Sequence, residues 1–102
     1  MNDKWPFDQP PNCAVLCVRQ IMHDGSPILL VTHDDDDHGW QFLDGSNGPK
    51  VEDAMLVSLS NVVEVDPSIL EVATLAPGWR AWRKSANSPW IREKNPDGGT
   101  SK

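Results

Sequence analysis

Apolar residues along this chain gather in short runs. Clusters of glycine, proline, asparagine and aspartate separate them, a spacing that predicts strands and turns rather than long helices. Residues 12–22, NCAVLCVRQIM, carry apolar side chains on both parities. Cys13, Val15, Cys17 and Ile21 fall on one, and Ala14, Leu16, Val18 and Met22 on the other. That predicts a central strand buried on both faces, with a short helix as the alternative. His23-Asp24-Gly25-Ser26-Pro27 follows, and Asp-Gly is a strong hairpin signal. Residues 28–32 return as a second strand, so 12–32 is expected to form a hairpin. Trp40–Leu43 predicts a third strand, with Trp40 and Phe42 on one face. Residues 44–49 are a turn cluster, and 54–59 form a fourth apolar run expected to be a strand.

Beyond residue 59 the signals become helical. Ser60 is a candidate N-cap. Asp66 is a clearer one, with Pro67 at the first helical position and Val65 and Leu70 spaced for a hydrophobic staple. Leu70 and Ala73 supply a short apolar stripe, and Pro77-Gly78 ends the unit. Two short helices are expected around 60–65 and 67–74. In 79–84, Trp79 and Trp82 would share a face in a helix and oppose each other in a strand, so either element fits. Trp90-Ile91-Arg92 ends the pattern as a last strand. The expected fold is α+β: a small, mostly antiparallel sheet of about four to five strands with two short helices. Residues 1–11 read as an irregular arm anchored by Trp5 and Phe7, 12–94 as a single domain, and 95–102 as a disordered tail.

Composition narrows the function classes. With 102 residues, one domain is expected. No apolar run approaches the roughly 18 residues of a membrane span. The N-terminus lacks the basic and apolar regions of a secretory signal, so none is expected, and the cysteine usage agrees with a reducing compartment, the cytoplasm. If 12–22 is one strand, Cys13 and Cys17 are roughly 13 Å apart, beyond disulfide reach, and both read as small apolar residues.

The net charge is −6 and unevenly placed. Residues 33–53 hold seven acids against Lys50, and residues 79–102 hold six bases against Glu93 and Asp97. Such an acidic region repels nucleic-acid phosphates and suits a basic protein or a cation. Pairing with the basic C-terminal segment inside the molecule is the other reading.

The acids concentrate in HDDDDHGWQFLDG, residues 33–45. From Asp34 a calcium loop would need Asp or Asn where His38 stands and Glu where Gly45 stands, so that template fails. A zinc site needs ligands converging from separated segments, which neighbours in one loop do not provide. Adjacent aspartates are also poor stand-ins for the opposed carboxylates of a glycosidase. No nucleophile elbow, phosphate-cradling glycine loop or metalloprotease helix motif is present. No cofactor, no metal and no catalytic residue is therefore expected. What remains is either a solvated loop or an electrostatic landing site for a basic partner, with tryptophan as anchor. The expected contact set is Asp34, Asp35, Asp36, Asp37 and His38 in the loop, with Trp82 and Trp90 beside it.

Gly39-Trp40-Gln41-Phe42 and Gly45, then Leu59, Asp66-Pro67, Leu75, Pro77-Gly78 and Ala81 with Arg83, carry a resemblance across residues 12–84. In these positions the chain resembles a family of small bacterial domains of unassigned biochemistry, some of them proposed immunity proteins of toxin–immunity systems. The resemblance implies an α+β fold and a non-enzymatic protein that binds a protein partner such as a toxin. It supplies no catalytic residues, and the long acidic run departs from the family's few-acid loop. Two other readings stand beside this one: a divalent-cation-binding sensor or hydrolase using the His/Asp loop, and a structural or homodimeric module. No nucleic-acid or membrane partner is expected, and the chain is either a monomer or a homodimer.

Overall fold

The computed structural model describes residues 5–36, 39–45 and 51–95. Their architecture is α+β, built on a six-stranded mixed sheet in the order β4-β1-β3-β2-β5-β6. The strands are β1 (Ala14–Val18), β2 (Leu30–His33), β3 (Trp40–Leu43), β4 (Ala54–Ser58), β5 (Trp79–Trp82) and β6 (Ile91–Lys94). Two α-helices, α1 (Arg19–Asp24) and α2 (Leu59–Val65), and two 3-10 segments, Val51–Asp53 and Pro67–Val72, complete the described elements.

The largest departure from expectation lies in 12–32. The apolar run does not continue as one strand. β1 stops at Val18 and the chain turns into α1, which buries Ile21. Gly25 sits in the left-handed region (φ 76°) and caps α1, its N–H donating to the Gln20 carbonyl. An Asp-Gly pair serves a helix C-terminus as readily as a hairpin turn, because both need one residue at positive φ. The consequence is topological. β1 never pairs with β2; it runs parallel to β3 (Leu16 opposite Gln41) and antiparallel to β4, which makes the sheet mixed. The hairpin that does form is β2–β3, with His33 opposite Trp40.

The second half matches the expected plan with local corrections. α2 is capped by Ser58 rather than Ser60: the Ser58 hydroxyl accepts from the Asn61 N–H at 3.3 Å. Asp66 caps the next segment as expected, accepting from the Ser68 N–H at 3.1 Å, with Pro67 in the first turn. That segment winds as a 3-10 helix and buries Ile69 and Val72. Leu70 is 40% exposed and Val65 43%, so the expected Leu70–Ala73 stripe is replaced by Ile69, Val72 and Ala73. Residues 79–82 are a strand, so Trp79 and Trp82 lie on opposite faces.

Alternate strand positions feed one core. Val15, Cys17, Val31, Trp40, Phe42 and Ala81 are buried together with Leu59, Val62, Ile69 and Leu75. The N-terminal arm closes one side as expected: Phe7 is buried against Trp40 (5.0 Å, edge to face), and Trp5 packs on Phe7. The opposite sheet face bears Leu16, Leu30, Leu43, Trp82 and Leu56, none of them fully buried. The expected turn at 46–49 and the expected tail from 96 onward lie outside the described residues.

Candidate functional site

The β2–β3 hairpin carries the acidic residues to one end of the sheet. The Asp34 N–H donates to the Gly39 carbonyl at 2.7 Å, closing the base of the connecting loop. Asp34 is half-buried, while Asp35 and Asp36 are exposed. Asp37 and His38 lie outside the described residues. The base is pinned from a second side, where the Gly78 N–H donates to the His33 carbonyl at 2.7 Å. Gly78 has φ 86°, a left-handed turn that glycine makes without strain. A β-carbon there would meet the Asp35 side chain at an ordinary contact distance of 3.6 Å, so the backbone conformation rather than space calls for glycine. Half-buried Trp79 comes directly after it. Together with Asp35, Gly78, Lys94 and Asn95 it lines a pocket beside the acids.

His33, which opens the acidic run in sequence, turns the other way. It is buried and stacks on Trp40 with ring centroids 4.0 Å apart. Its Nδ1 lies 2.7 Å from the Leu75 carbonyl, an oxygen that only accepts, so Nδ1 carries the proton. Its Nε2 lies 3.2 Å from Asp8 Oδ2, and Asp8 Oδ1 accepts from Trp40 Nε1 at 3.1 Å. His33 thus fastens β2, the arm and the segment after Val72 together. Among the described residues, no three of histidine, cysteine, aspartate and glutamate converge as metal ligands.

Trp82 and Trp90 are not brought to the acids. Trp82 pairs with Leu30 at the far end of β2, about 10 Å along β5 from Trp79 at the usual strand rise. There it lines a second pocket with Leu30, Arg80, Lys84 and Glu93, where Arg80 is already ion-paired to Glu93. Trp90 is half-buried beneath the Arg83 guanidinium, 4.1 Å from its ring centroid, and packs against the core. Arg83 itself is buried. It donates to the Ile28 carbonyl (2.9 Å), the Ala86 carbonyl (3.2 Å) and Asp66 Oδ2 (3.0 Å). Like Trp79, Trp90 is half-buried and packs against the core, but it precedes Ile91, which pairs with Trp82, and so stands at the end of the sheet away from the acids.

Trp79 is the residue that sequence reasoning left out of the site. Its signal was present in Pro77-Gly78-Trp79, because a turn glycine sets the direction in which the next residue leaves, but only the β2–β5 register places that turn beside Asp35. The cysteines are free, as expected, with Cys17 buried and Cys13 half-buried. Burial pushes the Cys17 thiol up to about 12, against a smaller opposing effect of a backbone hydrogen bond at Val18. A thiol so held is protonated and unreactive at neutral pH. No helix among the described residues is long and apolar enough to cross a membrane. No family model, no curated protein and no solved structure matches the chain.

Proposed function

We propose that this chain is a non-enzymatic, immunity-protein-like binding domain that presents the acidic tip of the β2–β3 hairpin to a basic protein surface. The observation carrying this reading is the placement of exposed Asp35 and Asp36 on a loop whose base is tied at Asp34 and at His33, next to half-buried Trp79. Fixed like charges on a short tip raise the association rate with a cationic partner, and an adjacent indole supplies contact area at low entropic cost. The buried polar side chains support the same reading. His33 and Arg83 both join segments of the fold, so structural ties account for their burial.

The test is capture of a partner from lysate by the native chain and by a variant with Asp34 to Asp37 changed to Asn. Recovery is expected to fall at least tenfold in the variant. It is also expected to fall for the native chain between about 0.05 and 0.5 M salt, where exposed charges become screened. A partner retained equally by both proteins and at both salt concentrations would sink the proposal.

A further inference from the structure

The two edges of the sheet are chemically unlike. β6 bears three consecutive charged residues, Arg92, Glu93 and Lys94, the usual protection of a free edge against pairing with another strand. β4, Ala54-Met55-Leu56-Val57-Ser58, has no charge, proline or glycine, and Leu56 at its centre is 77% exposed.

The ladder fixes which backbone groups point outward. The Leu59 N–H donates to the Cys13 carbonyl at 2.9 Å, and the register runs from Ala14 opposite Ser58 to Val18 opposite Ala54. Hydrogen-bonded and non-hydrogen-bonded pairs alternate in an antiparallel ladder. Met55 and Val57 therefore turn their amides toward β1, and Leu56 turns its N–H and C=O away from the sheet.

We propose that β4 joins two copies of this chain as a homodimer, the strands pairing antiparallel about a two-fold axis at Leu56. A second copy is the occupant that fits. The axis sets Leu56 against Leu56, Ala54 against Ser58 and Met55 against Val57, so no charge is buried and no like charges meet. Glu52 and Asp53 fall opposite Ser60 and Leu59 of the second copy. Such a contact closes at two, whereas pairing β4 with β6 would set an uncharged strand against a charged one and propagate. A strand supplied by a basic or acidic protein finds nothing on β4 to match its charge. A five-residue strand pair covers less than the roughly 800 Å² per partner of a standard stable interface, so the dimer is weak and concentration-dependent. The chain's net charge of −6 opposes association, so salt strengthens it, the reverse of the salt effect expected at the acidic tip.

Sedimentation velocity of the full chain from about 5 µM to about 1 mM, at low and high salt, is the test. The native chain is expected to shift from monomer to dimer across this range, and at lower concentration in higher salt. Leu56→Lys places like charges at the axis and is expected to weaken the dimer at least tenfold, with an unchanged melting midpoint at the lowest concentration. Hydrogen exchange at the Leu56 amide is expected to slow with concentration in the native chain only. A native chain that stays monomeric throughout overturns the proposal. So does a dimer that Leu56→Lys leaves intact, or one whose Leu56 amide exchanges at the same rate at every concentration.

Discussion

Among the described residues, His33 and Arg83 are the buried ones with polar or charged side chains, and they sit at opposite ends of the β2–β5 pair. Each ties together segments far apart in sequence, and each ends on an aspartate. The aspartates differ. Asp66, opposite Arg83, is 20% exposed and already fixed as a cap, accepting from the Ser68 N–H and hydroxyl. Asp8, opposite His33, is 45% exposed and belongs to the N-terminal arm. One end of the core is closed by regular elements and the other by a strap. A polar residue's neighbours in sequence thus say little about its work. His33 borders the aspartate run yet serves the interior, while Asp35, two residues on, faces solvent.

The rigid end should give the larger effect when broken. Arg83→Met leaves the Asp66 carboxylate without its cation and the buried Ile28 carbonyl without its donor. Removing one partner of a buried pair costs about 3–5 kcal/mol. For a domain whose whole stability is on the order of 5–15 kcal/mol, that lowers the denaturation midpoint markedly. Adding Asp66→Asn to this variant removes the stranded charge but keeps an oxygen for the cap. The double variant is therefore expected to be more stable than Arg83→Met alone in urea denaturation. If it is not, the ion pair is not what Arg83 contributes, and stacking on Trp90 takes its place.

The same contrast explains how much of the molecule was legible in its sequence. The Asp66-Pro67 cap, the Trp40–Phe42 core strand and the anchoring of the arm by Phe7 depend on near neighbours or on residue size, and they appear where expected. The β1–β2 hairpin failed because Asp24-Gly25 specifies a positive-φ turn without specifying what the turn ends. The strand count fell short because Trp79 and Trp82 fit helix and strand alike, and only pairing with β2 and β6 makes 79–82 the sixth strand. The mixed sheet was missed because β1 finds β3 across the whole of α1 and β2, which no local pattern announces. The candidate site split for a related reason. Trp82 and Trp79 look alike in sequence, and only strand register decides which of them stands beside Asp35.

The strap end should give a smaller loss. Asp8→Ala removes the acceptor of Trp40 Nε1 and the carboxylate beside His33 Nε2. Leaving a buried donor without an acceptor costs about 1–3 kcal/mol. Half of the aspartate surface already meets water, which places the expected loss toward the lower figure. Asp8→Asn keeps an amide oxygen for Trp40 and should lose less. The shift is expected in Trp40 fluorescence as well as in the midpoint, because loosening the strap wets the indole. An Asp8→Ala chain with unchanged fluorescence and midpoint would show that the arm closes this end by Phe7 packing alone.

An effect absent at neutral pH should come from Cys17, a buried titratable group that has no ion partner and so isolates what burial does by itself. Its folded thiol is raised to about 12 from the ordinary 9.0. Below about pH 9 the thiol is protonated in folded and unfolded chains alike, and it adds no pH dependence. As the pH rises from about 9 toward 12, the unfolded chain loses this proton and the folded chain keeps it. Stability then falls by about 1 kcal/mol per pH unit in that window. Cys17→Ala removes that slope, although it lowers stability at every pH by the lost packing of the sulfur. The readout is therefore the difference in urea midpoint between pH 8 and pH 10.5, with half-buried Cys13 left in place in both proteins. The alanine variant is expected to show the flatter dependence. Equal slopes would mean that the Cys17 thiol meets solvent, and rapid alkylation of both cysteines in the native fold would then accompany them.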